Sequence, residues 1–163
     1  MRLVLTRGQH DALWEHLLQD DSREEAAFLL ATESDSTLTP KEIILVPPAG
    51  FIGHARYGIE LTDEFRAGII KAAHDRDAMI IEAHSHPFPM PAAFSSFDVA
   101  GLREFVPHVR WRLKGKPYAA IVAGPTTFDA VIWKNNGPEP LAISIDQMTL
   151  LPTRRTRWDD GSL

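Results

Sequence analysis

The chain has 163 residues, 44% of them hydrophobic and 24% charged, and a formal net charge of -5. This size and composition predict one globular domain with a sizeable buried core. The acidic balance argues against a broad nucleic-acid surface, because proteins that bind phosphate backbones usually carry a basic stripe. The sequence contains no cysteine, so any metal site must be built from His, Asp or Glu.

The beginning of the chain indicates where the protein is expected to act. The stretch MRLVLTRGQHDALWEHLL lacks the basic region, apolar run and cleavage site of a secretory signal, and no segment reaches ~18 uninterrupted apolar residues. Absence of cysteine also suits a reducing compartment. We therefore expect a soluble cytoplasmic protein with no membrane partner.

The first half of the chain alternates strand and helix patterns. Thr62 is a good N-cap for the second helix, because acidic residues follow it in the first turn. The predicted elements are, in order, strand MRLVLT, helix RGQHDALWEHLLQD, buried strand EEAAFLLATES, its neighbouring strand KEIILVPPAGFI, helix LTDEFRAGIIKAAH and strand AMIIEAHSH.

The second half begins with PFPMPAAF, a loop whose three prolines make it stiff. A helix is predicted from Ser95, with its end or a kink near Pro107. Three strands follow, YAAIVAG, FDAVIWK and LAISIDQMTLL, which makes the fold class mixed α/β. We predict one domain over residues 1–151 and a polar tail over residues 152–163, either partly disordered or in contact with a partner through Trp158.

Two histidines stand at alternate positions where the strand AMIIEAHSH ends. In a strand, side chains two apart share a face, so His84 and His86 project together. A metal bound there needs a third protein ligand, and Asp98, in the first turn of the next helix, is the candidate. A histidine pair alone is a weak signal, and Ser95 with Asp98 also fits an ordinary capping box.

The complete pattern is more specific than any of its pieces. His84-Ser85-His86-Pro87, seven residues, then Ser95-x-x-Asp98 resembles the JAMM motif, H-x-H-P-x(7)-S-x-x-D, of the JAB1/MPN/Mov34 metalloproteases. The resemblance covers roughly residues 1–150 and is closest in character to the stand-alone prokaryotic JAB type. It implies an MPN/JAB, cytidine-deaminase-like fold in which helices flank a central mixed β-sheet.

The resemblance also implies roles for individual residues. His84, His86 and Asp98 would hold Zn²⁺, which lowers the pKa of a bound water toward ~7. Ser95 would donate a hydrogen bond to the developing oxyanion. Loss of the metal as the histidines are protonated would lower the activity at acidic pH.

The general base of the family is a glutamate on an upstream strand, typically within E-x-x-G-L-L-G. We align Glu25 with it, although Phe28 and Ala31 stand where glycines are usual. Glu24 is the competing register, and only one of two adjacent strand residues can face the metal.

The substrate that the resemblance implies is a ubiquitin-like protein, cut after its C-terminal glycine during deconjugation or tail processing, with the conjugation enzymes as further partners. One alternative is a module that binds a ubiquitin-like protein without cutting it. Another is a RadC-like protein associated with DNA repair, but HSHPFP departs from the His-Asn-His-Pro-Ser-Gly usual in that group.

Other polar residues are weaker candidates for the site. Glu82 shares a strand face with His84 and would support the site from behind. His54 and His74 are further possibilities, but isolated histidines are more often surface or capping residues.

Overall fold

The computed structural model describes residues 1–55, 58–135 and 137–158, without the side chains of residues 54 and 55. The described residues form three α-helices, α1 (Arg7–Leu17), α2 (Asp63–Asp75) and α3 (Ser96–Arg112). The strands are β1 (Arg2–Leu5), β2 (Ala26–Ser34), β3 (Thr37–Leu45), β4 (Phe51–Ala55), β5 (Gly58–Leu61), β6 (Met79–Ser85), β7 (Tyr118–Ala123), β8 (Phe128–Trp133), β9 (Pro138–Pro140), β10 (Ala142–Ile145) and β11 (Met148–Leu150).

Nine strands form one mixed sheet in the order β11-β10-β1-β3-β2-β6-β7-β8-β9, while β4 and β5 pair separately. The pairs β1–β10, β1–β3 and β6–β7 are parallel, and the other neighbours in the large sheet are antiparallel. This mixed α/β architecture, with a large sheet flanked by helices, confirms the predicted fold class.

The sheet has a hydrophobic core on each face. Phe28 and Leu30 of β2 belong to one cluster with residues of α2 and α3, whereas Leu29 belongs to the other with Leu13 and Leu17 of α1. Alternate residues of a strand point to opposite faces, so β2 contributes to both cores and is apolar almost throughout. The ligand-bearing strand β6 pairs with β2 and therefore lies in the middle of the sheet.

The helices begin at side-chain caps. The Oγ1 atoms of Thr6 and Thr62 accept hydrogen bonds from the third residue of their helices, which confirms Thr62 as the N-cap of α2. Of the two outcomes predicted at Pro107, an end or a kink, the end is wrong, because α3 continues through the proline to Arg112. Val106 and Val109 are buried on either side of the exposed proline, so packing maintains the helix across the missing N–H donor.

Two segments predicted as single strands are each divided. LAISIDQMTLL forms the antiparallel pair β10–β11, with Asp146 at the turn in a left-handed conformation, φ 54°. KEIILVPPAGFI is interrupted by Pro47 and Pro48, after which the chain leaves the large sheet and enters β4. In both cases a turn former overrides a run of strand-forming residues.

The described part of the tail, residues 152–158, contacts the rest of the domain. The backbone N–H of Thr153 donates to the carbonyl of Phe128 at 2.9 Å. The indole of Trp158 packs against the rings of Phe94 and Trp133, with centroids 5.5 and 5.4 Å away. Trp158 therefore has an intramolecular packing role. Among the described residues, no helix is long and apolar enough to span a bilayer.

Candidate metal centre

The end of β6 and the first turn of α3 bring three potential ligands together. The Nε2 atom of His86 lies 3.2 Å from Oδ2 of Asp98, and Nε2 of His84 lies 3.5 Å from Oδ1 of the same carboxylate. One ligand atom from each of the three residues lies within 4.8 Å of the others. The structure therefore places His84, His86 and Asp98 in one cluster, as their spacing in the sequence predicts.

The position of Asp98 is set by the start of α3. The Oγ atom of Ser95 accepts from the N–H of Asp98 at 3.1 Å, and the Asp98 carboxylate accepts from the N–H of Ser95 at 2.6 Å. This is a complete capping box, with Asp in the place usually taken by Glu. The capping and ligand interpretations coexist, because the box turns the Asp98 carboxylate toward the histidines.

The electrostatics of the cluster suit a cation. Burial raises the pKa of Asp98, but the two histidines outweigh burial and hold that pKa well below its usual range. Burial lowers the pKa of His84, but the neighbouring Asp98 carboxylate raises it. The net result is a pKa of His84 above its ordinary value. A permanently ionised carboxylate beside two imidazoles is the charge pattern that a divalent metal neutralises by displacing the imidazole protons.

One buried atom marks the position where an ion would fit. His84 is 6% exposed, and its Nε2 atom lies 3.5 Å from the Asp98 carboxylate without a well-formed hydrogen bond to any described residue. Ligand atoms around a tetrahedral Zn²⁺ lie about 3.3 Å apart, given bonds of about 2.0 Å. The separations of 3.2 and 3.5 Å, which run from His86 and His84 to the two different oxygens of Asp98, are close to that spacing. The donor set of two nitrogens and one oxygen thus fits a divalent metal.

The upstream glutamate differs from the prediction, because Glu24 rather than Glu25 faces the cluster. Oε1 of Glu24 lies 3.6 Å from Nε2 of His86, and its side chain is 3% exposed. Burial raises the pKa of Glu24 to about 7, although His84 and His86 act to lower it.

Glu25 points to the other side of the strand. Its N–H donates to Oγ of Ser85 at 2.9 Å, and its carbonyl accepts from the N–H of Ser85 at 3.0 Å. Its carboxylate lies 3.3 Å from Nε of Arg23. The strands β2 and β6 are antiparallel, and Ala26 pairs with His84. If the same register is continued by two residues, Glu24 lies opposite His86. This register, invisible when each strand is considered alone, determines which glutamate meets the histidines.

A cavity of about 660 Å³ opens beside the cluster. His84 and Asp98 line one part of it, and Arg66, Glu82 and Phe97 line others. Glu82 accepts a short hydrogen bond from the Tyr118 hydroxyl, and burial raises its pKa. Glu82 therefore lies behind the ligands and is not one of them.

The remaining histidine candidates do not join the cluster where the structure describes them. The exposed His74 lies at the end of α2, with Nδ1 3.7 Å from Asp75. The side chain of His54 lies outside the described residues. Sequence reasoning overlooked His16, whose Nε2 lies 2.9 Å from the carbonyl of Ala26 and links α1 to the start of β2.

These features are those of a JAB-type domain with a triad, His84, His86 and Asp98, that could hold a metal ion. The chain matches the family described as prokaryotic homologs of the JAB domain over residues 6–136, and it belongs to that family. Among matching solved structures is protein DSY2949 from Desulfitobacterium hafniense, a solution structure 16% identical in sequence with a TM-score of 0.58. The match covers 90% of this chain and 94% of that one, and it supports the fold. No curated protein sequence gives a significant match.

Proposed function

We propose that this JAB-domain chain is a cytoplasmic zinc-dependent isopeptidase or peptidase. Its substrate would be a ubiquitin-like protein, cut at the amide bond after the C-terminal glycine. The observation that carries the proposal is the convergence of His84, His86 and Asp98 with a buried carboxyl group, that of Glu24, beside them.

The bound metal would supply Lewis-acid chemistry, lowering the pKa of a coordinated water toward ~7. Glu24 is placed to take a proton from the attacking water and to pass it to the leaving amine. Burial raises the pKa of Glu24 to about 7. A bound divalent cation would lower that pKa and favour the ionised form of Glu24, which accepts a proton. Glu24, rather than the predicted Glu25, is therefore our candidate for the general base.

Ser95 supports the same chemistry from the start of α3. Its Oγ accepts a hydrogen bond from the Asp98 N–H, which leaves the hydroxyl proton available to a substrate oxygen. The residue is exposed, so a substrate can reach it. As the scissile carbonyl oxygen becomes negative, this donor would stabilise it by about 2.7–4 kcal/mol.

A flexible peptide end suits the shape of the site. The cavity of about 660 Å³ beside His84 and Asp98 would accept an extended tail, and Phe97, 67% exposed, lies on its rim. Glycine next to the scissile bond lets the backbone approach the ligands closely. A ubiquitin-like C-terminus combines both properties.

The proposal is tested by metal analysis together with a cleavage assay. Purified wild type, Asp98→Asn and the surface control Asp146→Asn would be incubated with a ubiquitin-like protein fused after Gly-Gly to a reporter. Wild type and the control should hold about one Zn²⁺ and release the reporter, while Asp98→Asn should do neither. Zinc binding without cleavage of fusions or conjugates would favour the non-cleaving module, and absence of zinc from wild type would refute the proposal.

A further inference from the structure

We propose that the C-terminal segment, residues 152–158, is a positioning element of the metal centre and acts through Thr156. This inference rests on the proposed function, since it concerns how the same three ligands are held. The segment lies beyond the part of the chain that matches the JAB family, which ends at residue 136.

The segment is anchored to the sheet by a buried carboxylate. Asp129 of β8 is 2% exposed. Its oxygens accept from the N–H of Arg154 at 3.1 Å, the N–H of Thr156 at 3.3 Å and the hydroxyl of Thr156 at 2.6 Å. A carboxylate buried with three donors from one short segment fixes that segment's backbone in place, because hydrogen bonds to charged groups are the stronger ones.

From Thr156 the contact passes to the loop that joins the ligands. The Thr156 hydroxyl donates its proton to Asp129, so its oxygen is oriented to accept from the N–H of Phe94, at 2.9 Å. Phe94 immediately precedes Ser95, the N-cap that positions Asp98. Thr153 holds the same loop through its hydroxyl, which donates to the carbonyl of Ala92 at 2.6 Å.

Ring packing extends the connection to a ligand. The Phe94 ring, 5% exposed, lies between the indole of Trp158 and the imidazole of His84, with centroid separations of 5.5 and 5.9 Å. The carbonyl of Trp158 accepts from the guanidinium of Arg103 on α3 at 3.1 Å. The segment thus contacts both the loop and the helix that carry Asp98.

The loop requires such support because its prolines cannot pair in a sheet. Pro87, Pro89 and Pro91 supply no N–H donors, so between His86 and Ser95 the chain has few backbone hydrogen bonds of its own. The N–H of Phe94 bonds to Thr156, and that of Ala92 to Oγ1 of Thr127, at 2.8 Å. Without the Thr156 hydroxyl, the end of the loop nearest Asp98 would be free to move away from the histidines.

The test measures zinc affinity directly, by titrating metal-free protein in competition with a chromophoric chelator. Thr156→Val keeps the branched shape and removes the hydroxyl, Thr156→Ser restores the hydroxyl, and Thr149→Val is a matched change at an exposed threonine of β11. Loss of groups that orient metal ligands costs about 10–100-fold in affinity. We expect Thr156→Val to weaken zinc binding about tenfold, with Thr156→Ser and Thr149→Val close to wild type.

Hydrogen exchange of the metal-free proteins provides the second measurement. The Phe94 amide should exchange faster in Thr156→Val than in wild type or Thr156→Ser, while the amides of β2 and β6 stay protected. Faster exchange at Phe94 with unchanged zinc affinity would show only local structural support and would overturn the inference. Unchanged affinity and exchange would overturn it too. Wild type that binds no zinc would instead refute the proposed function, on which the inference depends.

Discussion

The two adjacent glutamates give the sharpest test of the mechanism. Glu24→Gln and Glu25→Gln are nearly isosteric changes at neighbouring positions, each removing one ionisable carboxyl group. Glu24 lies 3.6 Å from His86, whereas the Glu25 carboxylate lies 3.3 Å from Arg23 on the other side of the strand. If Glu24 is the general base, only the first substitution should abolish catalysis.

The expected magnitude follows from the role. General acid–base catalysis contributes about 10²–10⁴-fold, which is about 2.7–5.5 kcal/mol in the activation barrier. Glu24→Gln should therefore lower kcat by at least about a hundredfold. Because Glu24 is not among the three ligands, Glu24→Gln should keep its zinc. Glu25→Gln loses an ion pair whose arginine is 45% exposed, and it should cut at a rate near that of wild type.

The assay is steady-state cleavage of a Gly-Gly-linked ubiquitin-like fusion, with zinc content measured on the same samples. Equal rates for Glu24→Gln and wild type would refute the assignment of the base. A large loss in Glu25→Gln, with Glu24→Gln active, would mean that the working enzyme uses the other register. Loss of zinc from Glu24→Gln would show that the Glu24 carboxylate is a metal ligand rather than the general base.

Three further predictions concern stability and metal binding. Ser85→Ala removes the acceptor of the buried Glu25 N–H and should lower the free energy of unfolding by about 1–3 kcal/mol, measured by urea denaturation. Burial raises the pKa of Glu82, so the folded protein favours the protonated side chain. The contribution of Glu82 to the free energy of unfolding is therefore present below its ordinary pKa of 4.5 and is lost as the pH rises through the raised pKa of the folded state. Glu82→Gln, which keeps an acceptor for Tyr118, should therefore equal wild type near pH 4 and exceed it near pH 8 in the same denaturation assay; equal pH dependence would contradict this. Zinc affinity should fall as the pH drops, because protons compete with the metal for the ligand nitrogen of His84, whose pKa the Asp98 carboxylate raises, and calorimetric titrations at pH 5.5 and 7.5 would detect the difference.

The ligand set could be predicted from the sequence because local geometry determines most of it. A two-residue period places His84 and His86 on one face of a strand, and Ser95 starts the helix that carries Asp98. These are short-range relationships within one strand and one helix end. The long-range step is the loop between His86 and Ser95, which returns the start of α3 to the end of β6 and so brings Asp98 to the two histidines.

The choice between Glu24 and Glu25 could not be made in the same way. Adjacent strand residues differ only in the face they present, and the face depends on the offset between β2 and β6. That offset is set by pairing across the sheet, where Ala26 meets His84. The role of the tail could not be predicted either, because Thr156 is an ordinary polar residue in the sequence but bonds to a distant buried carboxylate, that of Asp129.

The middle residue of the His-Ser-His triplet connects the ligand positions to the register of the glutamates. His84 and His86 face the cluster, so Ser85 faces the opposite side, where it is fully buried. There the Ser85 hydroxyl oxygen accepts a hydrogen bond from the Glu25 N–H, and the Ser85 N–H donates one to the Glu25 carbonyl. A slip of one residue between the strands would break both bonds and exchange the faces of Glu24 and Glu25. The tripeptide that supplies two candidate ligands thus also determines which carboxyl group lies beside them, so the proposed metal binding and the proposed proton transfer depend on one strand pairing.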